Sequence, residues 1–254
     1  MRRAALAAAL ASLLVGAAPA ARADAPKAIE RVKASIVAIG TLQRTRSPAF
    51  RFLGTGFAVA DGLTIVTNAH VIPGTLDEEK FETIAVLLPG VAREVQVRPA
   101  TRGPTDTQHD LALLRVEGTA LPALAVRDSD SVREGDSVLF TGFPIGAVLG
   151  PYPATHRGMV AAITPIAIPP PAARDLNPAL IRRLAGEAFP VFQLDATAYP
   201  GNSGSPVYAP DTGEVVGIVN MVFVKGTKEA ALTQPSGITY AIPSRHLIEL
   251  LKRR

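Results

Sequence analysis

Short runs of β-branched and aliphatic residues, each stopped within a few positions by a turn former, dominate this chain. Its 254 residues include 22 Pro and 21 Gly. Pro removes a backbone donor and both residues punctuate regular structure, so this density argues against a helical bundle. Strands are expected at Ser35–Leu42, Gly56–Ala60, Leu63–Thr67, Ile84–Leu88, Glu94–Val97 and Leu111–Val116. Asp61-Gly62 is a tight-hairpin signal, and Pro89-Gly90 is a turn. A polar stretch, Arg127–Asp136, reads as a connection to a second set. That set comprises Val138–Thr141, Met159–Ile163, Val191–Leu194, Pro206–Tyr208, Val215–Val224 and Thr239–Ile242, with Asp211-Thr212-Gly213 as a hairpin loop. Many short strands at this spacing imply an all-β fold of antiparallel barrels or a sandwich.

Two helices are expected. Ser244 is placed to cap a terminal helix, with Leu247, Ile248, Leu250 and Leu251 on one face. Asn177-Pro178 starts a shorter one that runs to Leu184. The Pro-rich run Pro165–Pro171 before it reads as an extended surface loop.

Residues 1–23 (MRRAALAAALASLLVGAAPAARA) have the three-part layout of a secretory signal. Arg2 and Arg3 lead, an uncharged Ala/Leu-rich run follows, and Ala21-Arg22-Ala23 offers a small-x-small cleavage site. The run is shorter than the ~20 apolar residues of a membrane span. Cleavage is expected before Asp24, which leaves a mature domain over 24–254 and no membrane partner. The alternative is an N-terminal anchor.

Charge then loses its apparent meaning. The formal +4 rests on 26 Lys+Arg against 22 Asp+Glu, and three of those bases (Arg2, Arg3 and Arg22) leave with the signal. A near-neutral mature chain gives no compositional support for a nucleic-acid partner. The hydrophobic share of 48% excludes a disordered chain. The absence of Cys excludes disulfides, a Cys-type zinc site and a cysteine nucleophile.

The chemistry centres on Gly201-Asn202-Ser203-Gly204-Ser205-Pro206. A Ser between glycines suits a nucleophile on a tight turn, and the N–H groups of Gly201 and Ser203 could converge as an oxyanion hole. Taken alone, the stretch is equally compatible with an ordinary Gly/Ser loop. A Ser hydroxyl also needs a base, usually a His oriented by a carboxylate. His70 ends a strand in TNAHV, and Asp110 begins one in DLALLRV. His70 has no second ligand at metal spacing, so no metal site and no cofactor are expected. Asp106 is a rival carboxylate in a polar loop. His109, His156 and His246 read as solvent-facing or structural.

TNAHV, DLALLRV and GNSGSP, in the order His, Asp, Ser, resemble the trypsin-like serine proteases of the chymotrypsin fold. GTGFAV at 54–59, GFPIG at 142–146, QLDATAYPGNSGSP at 193–206, GEVVGIVN at 213–220 and ITYAIPS at 238–244 are similar to the bacterial HtrA branch. The resemblance implies two six-stranded antiparallel β-barrels, spanning about 35–120 and 137–243. Residues 121–136 would connect them, and a short helix over 244–254 would close the chain. It implies that His70 is the general base, that Asp110 holds its tautomer, and that Ser203 is acylated. Gly201 and Ser203 would supply the oxyanion-hole donors. Protein or peptide substrates are implied, in an exported setting. The competing readings are a catalytically idle or self-inhibited binding module on the same fold, and a hydrolase of small esters.

The departures narrow these expectations. Asn202 replaces the Asp that digestive relatives pair with a new N-terminus, so that activation device is not expected. Ser205 replaces the usual second Gly, a form shared with bacterial glutamyl endopeptidases. Those enzymes carry a His where Val219 stands, which speaks against glutamate specificity. Thr197 occupies the pocket floor where basic specificity needs an acid. With Ala198, Val222 and Phe223, the pocket is expected to favour small or medium aliphatic side chains. The PDZ modules usual in the HtrA branch are not recognisable. The insertion around Pro165–Ala188 is expected to be a variable surface loop, or else a segment that shapes the pocket.

Overall fold

The computed structural model describes residues 25–88, 96–146, 150, 152–165, 189–220 and 237–254. Twelve strands among them form two closed barrels. The first contains β1 (Ile36–Leu42), β2 (Phe50–Val59), β3 (Thr64–Asn68), β4 (Thr83–Leu88), β5 (Gln96–Asp106) and β6 (Leu111–Val116). The second contains β7 (Ser137–Gly142), β8 (Ala154–Pro165), β9 (Pro190–Asp195), β10 (Pro206–Tyr208), β11 (Val215–Asn220) and β12 (Ile238–Pro243). Around the first barrel the order is β1-β2-β3-β6-β5-β4, closed by antiparallel pairing of β1 with β4. The second repeats this order, with β7 pairing β10.

The strands look almost uniformly apolar because many are covered on both faces. Side chains alternate across a strand, so neighbours in sequence face opposite ways. Val37, Ile39, Ala58, Ala112 and Leu114 fill one cluster within the first barrel. Val138, Phe140, Val207, Val219 and Ala241 fill another, built from second-barrel strands. Their sequence neighbours Ile36, Ala38, Phe57, Leu111, Leu113, Leu139, Tyr208, Ile218 and Ile242 join a third cluster drawn from both barrels. Period two therefore persists, but both phases are apolar. At about 1.5–3 kcal/mol for each large side chain removed from water, this shared cluster is a strong reason for the barrels to dock.

Two helices complete the described structure. α1 (Ala25–Lys33) buries Ala28 and Val32. α2 (Ser244–Leu251) buries Leu247 and Leu250. Ser244 does not cap α2 as expected. The helix has no side-chain cap hydrogen bond, and the Ser244 hydroxyl donates to Arg127 O at 2.5 Å. A buried hydroxyl takes the nearest strong acceptor, which here lies in the connection between the barrels. The Asp61-Gly62 turn joins β2 to β3, with Asp61 Oδ1 accepting from the N–H groups of Leu63 and Thr64. The expected Pro89-Gly90 turn, the 178–184 helix and residues 166–188 of the insertion lie outside the described residues, as do residues 1–24.

Candidate active site

β3 and β6 pair antiparallel through Asn68 and Leu111, so His70 and Asp110 leave adjacent strands at the same end. His70 sits in a 3-10 turn, Ala69–Val71. Asp110 has a left-handed backbone, φ 52°. That conformation is uncommon outside Gly, though Asp tolerates it better than most. It lets the Asp110 carbonyl accept from Ala69 N–H and Asn68 Nδ2, both at 3.1 Å. The carboxylate then turns onto His70. Oδ1 accepts His70 N–H at 2.9 Å, and Oδ2 meets His70 Nδ1 at 2.6 Å. A carboxylate only accepts, so Nδ1 carries the proton and Nε2 presents a lone pair. The pair is partly open to solvent, with side-chain exposures of 32% for His70 and 20% for Asp110.

Asp110 Oδ2 has a second donor that sequence reasoning missed. Asn220, at the end of β11, donates its Nδ2 at 2.6 Å across the barrel boundary. Asn220 is fully buried. Its only signal in sequence is a polar residue closing the apolar run VVGIVN.

Ser203 lies between β9 and β10 in two consecutive turns. Asn202 N–H donates to Tyr199 O, and Ser205 N–H donates to Asn202 O. The turns are stitched to β11 through Gly204 N–H to Val219 O and Val219 N–H to Ser205 O. They are also stitched to the first barrel, where Thr55 N–H donates to Ser203 O at 2.9 Å. Gly54 marks how closely the two parts approach. A Cβ there would come within 2.8 Å of a Val71 methyl and 3.1 Å of Ser203 O. The His70 turn and the Ser203 turn therefore meet on either side of a residue that must lack a side chain.

Gly201 has φ 105°, and a Cβ on it would overlap the Phe143 carbonyl. Only Gly suits both demands. Among the described residues, neither Gly201 N–H nor Ser203 N–H donates to a protein acceptor.

The remaining histidines are held by packing. His109 pairs with Asp106 at 2.7 Å and stacks on His246, with ring centroids 3.7 Å apart. Phe189 sets its edge against both rings. His156 stacks on Phe140. Asp106 is thus engaged with His109, and it is Asp110 that contacts His70. Of the expected pocket residues, Ala198 and Val219 are buried in one apolar cluster, and Thr197 is half-buried. Val222 and Phe223 lie outside the described residues.

Comparison with known proteins identifies the family. The sequence profile of the trypsin-like peptidase domain matches residues 54–218. The chain belongs to the trypsin-like peptidase family. Among curated members, a "Probable periplasmic serine endoprotease DegP-like" from Marinomonas sp. is 33% identical over 193 residues. One of the same description from Halomonas elongata is 30% identical over 194 residues. Each alignment covers 76% of this chain but 33% of the relative, so the chain spans about a third of their length. Among solved structures, the HtrA-type protease AlgW with tripeptide shares 25% identity and a TM-score of 0.62, covering 90% of this chain and 62% of that one. The serine endoprotease from Yersinia pestis, at 24% identity and TM-score 0.60, supports the fold alone.

Proposed function

We propose that this trypsin-like peptidase is a serine endopeptidase that cleaves peptide bonds through Ser203, His70 and Asp110. One observation carries the reading. A single carboxylate, Asp110, grips both the backbone N–H and the Nδ1 of His70, which leaves Nε2 as the free base. In the first step His70 Nε2 accepts the Ser203 hydroxyl proton as Oγ attacks the carbonyl carbon. The carbonyl oxygen gains the charge, and the N–H groups of Gly201 and Ser203 stabilise it. The imidazolium is stabilised by Asp110 and gives its proton to the departing amine, leaving an acyl-Ser203 ester. Water then repeats the sequence and releases the acid.

The substrate is an exported or misfolded protein, cut after a small or medium aliphatic residue. This preference rests on the family resemblance at Thr197, Ala198 and Val219, since a methylene in an apolar pocket is worth about 1–3 kcal/mol. Residues 1–23 act as a removable secretory signal, and the described α1 starts just beyond them. Named periplasmic relatives support an envelope location. An exported product with the mass of residues 24–254 is the expected outcome.

The decisive test is a fluorophosphonate probe on the mature protein beside a Ser203→Ala control, with casein hydrolysis in parallel. Ser203-dependent labelling and casein cleavage are expected. Absence of both would favour the idle binding module.

A further inference from the structure

We infer that Thr55 is a positioning residue whose hydroxyl holds the Gly201 N–H in its donor orientation from across the barrel boundary. This rests on the endopeptidase reading above. Thr55 is fully buried in β2 of the first barrel. Its Oγ1 donates to Gly201 O at 2.7 Å and accepts from Phe143 N–H at 3.1 Å, both in the second barrel. A hydroxyl has one proton, and a backbone N–H can only donate. Phe143 therefore forces the Thr55 proton onto Gly201 O, and the polarity of the contact is fixed.

The other polar atoms of Thr55 are engaged too. Its N–H donates to Ser203 O at 2.9 Å, and its carbonyl accepts from Thr67 Oγ1 at 2.7 Å. Thr67 lies three residues before His70 on β3. One residue thus binds the carbonyls of both Gly201 and Ser203 while being braced from the His70 strand.

The Gly201 N–H belongs to the peptide that carries Pro200 O. That carbonyl accepts Ile145 N–H at 2.7 Å, from a turn in which Ile145 takes φ 51°. A β-branched residue at positive φ is strained, so the turn spends strain to reach Pro200. The carbonyls on both sides of the Gly201 N–H are therefore pinned, one by Ile145 and one by Thr55. Swinging the Pro200–Gly201 peptide so that Pro200 O replaced the N–H would break the Ile145 bond, and it would turn φ at Gly201, whose own carbonyl Thr55 holds in place. Preorganised donors are worth most where water is excluded and no rearrangement accompanies reaction.

The test compares Thr55→Val, which keeps shape and loses the hydroxyl, with Thr55→Ser, which keeps the hydroxyl. Thr55→Ala set against Thr55→Ser isolates the oxygen if the Val variant does not fold. The readouts are kcat and KM on a fluorogenic peptide, and affinity for a peptide boronate against the matching product peptide. Removing a hole donor costs about 100-fold in kcat, and a group acting through that donor is expected to cost about 10–100-fold. Boronate affinity should fall in parallel, while KM and product affinity stay within about twofold and Thr55→Ser stays near wild type. A Thr55→Ser protein as slow as Thr55→Ala, or equal loss of boronate and product binding, would assign the effect to packing and overturn the inference. A wild-type protein with no Ser203-dependent labelling would overturn both this inference and the protease reading. Normal labelling of wild type and Thr55→Ala alike would overturn only this one.

Discussion

Asn220 Nδ2 donates to Asp110 Oδ2 over 2.6 Å, so the second barrel reaches into the first to hold the acid beside His70. The same oxygen accepts from His70 Nδ1 at 2.6 Å. Two donors on one carboxylate oxygen fix its direction. The site is therefore sensitive to how the two barrels dock.

Replacing Asn220 by Leu is expected to lower kcat/KM about 10–100-fold, the equivalent of the ~1.5–3 kcal/mol of a hydrogen bond to a charged group. Asn220→Ser, with a shorter donor, should fall in between. Steady-state kinetics on a peptide substrate, with circular dichroism as a fold check, would measure both. An unchanged rate for Asn220→Leu would remove Asn220 from the orienting network.

A second prediction concerns acid. Burial holds the His246 imidazole well below its ordinary range, at about 4, and nearby His109 and Arg245 push the same way. Asp106 and Asp130 oppose them. His156 is lowered by burial as well. The folded state therefore binds fewer protons than the unfolded state between about pH 6.5 and 4, and stability falls as pH drops through that window. Thermal midpoints measured from pH 7.5 to 4.5 should decline. His246→Phe, which keeps an aromatic ring against His109, should make the decline shallower.

Asn202 gives a prediction of opposite sign. Its side chain is fully buried, and its amide atoms have no partner among the described residues. A carboxylate there would be an uncompensated buried charge. Asn202→Asp is expected to cost about 3 kcal/mol or more, roughly 10 °C in Tm for a domain of this size. The folded pKa of the new acid would be raised, so the loss should be large at pH 8 and small near pH 4. A Tm equal to wild type at pH 8 would show that a cation reaches this position.

Glu82 anchors the segment before β4. Its carboxylate accepts from the Thr41 hydroxyl at 2.6 Å, Arg46 Nη1 at 2.8 Å and Asp77 N–H at 3.1 Å. These bonds, Thr41 foremost and then Arg46, hold its pKa at about 2. Stability from this group is present above the unfolded carboxylate pKa near 4.3 and is lost as pH falls through about 2. Glu82→Gln should cost about 2 kcal/mol at pH 7 in denaturant melts, and the difference from wild type should vanish toward pH 2.

The parts most legible in sequence were those whose chemistry is local. His70, Asp110 and Ser203 each stand in a short motif beside a strand end, and strand ends are where a barrel presents side chains to a cleft. Leu111–Val116 and Pro206–Tyr208 match the observed strands because turn formers bound them closely. β5 was expected near Glu94–Val97 but extends over Gln96–Asp106 despite Pro99, Gly103 and Pro104. A register shift between Arg102 and Thr105 accommodates the latter two. α1 was not anticipated: Asp24 and Pro26 offer a start signal, but the segment is only nine residues long and buries only Ala28 and Val32. Asn220 and Thr55 were invisible for another reason. Their roles come from bonds spanning 110 and 146 residues, which topology creates and no local pattern announces.

The repeated strand order of the two barrels has an evolutionary consequence. Under the proposed mechanism proton handling rides on one barrel and acylation on the other, while each barrel closes its own sheet. A lineage could therefore lose turnover by a slight reorientation between the copies and still inherit two intact, heritable shells. Catalytic decay and structural decay become separate events, and a silent descendant of such an enzyme would remain a well-formed protein available for other work.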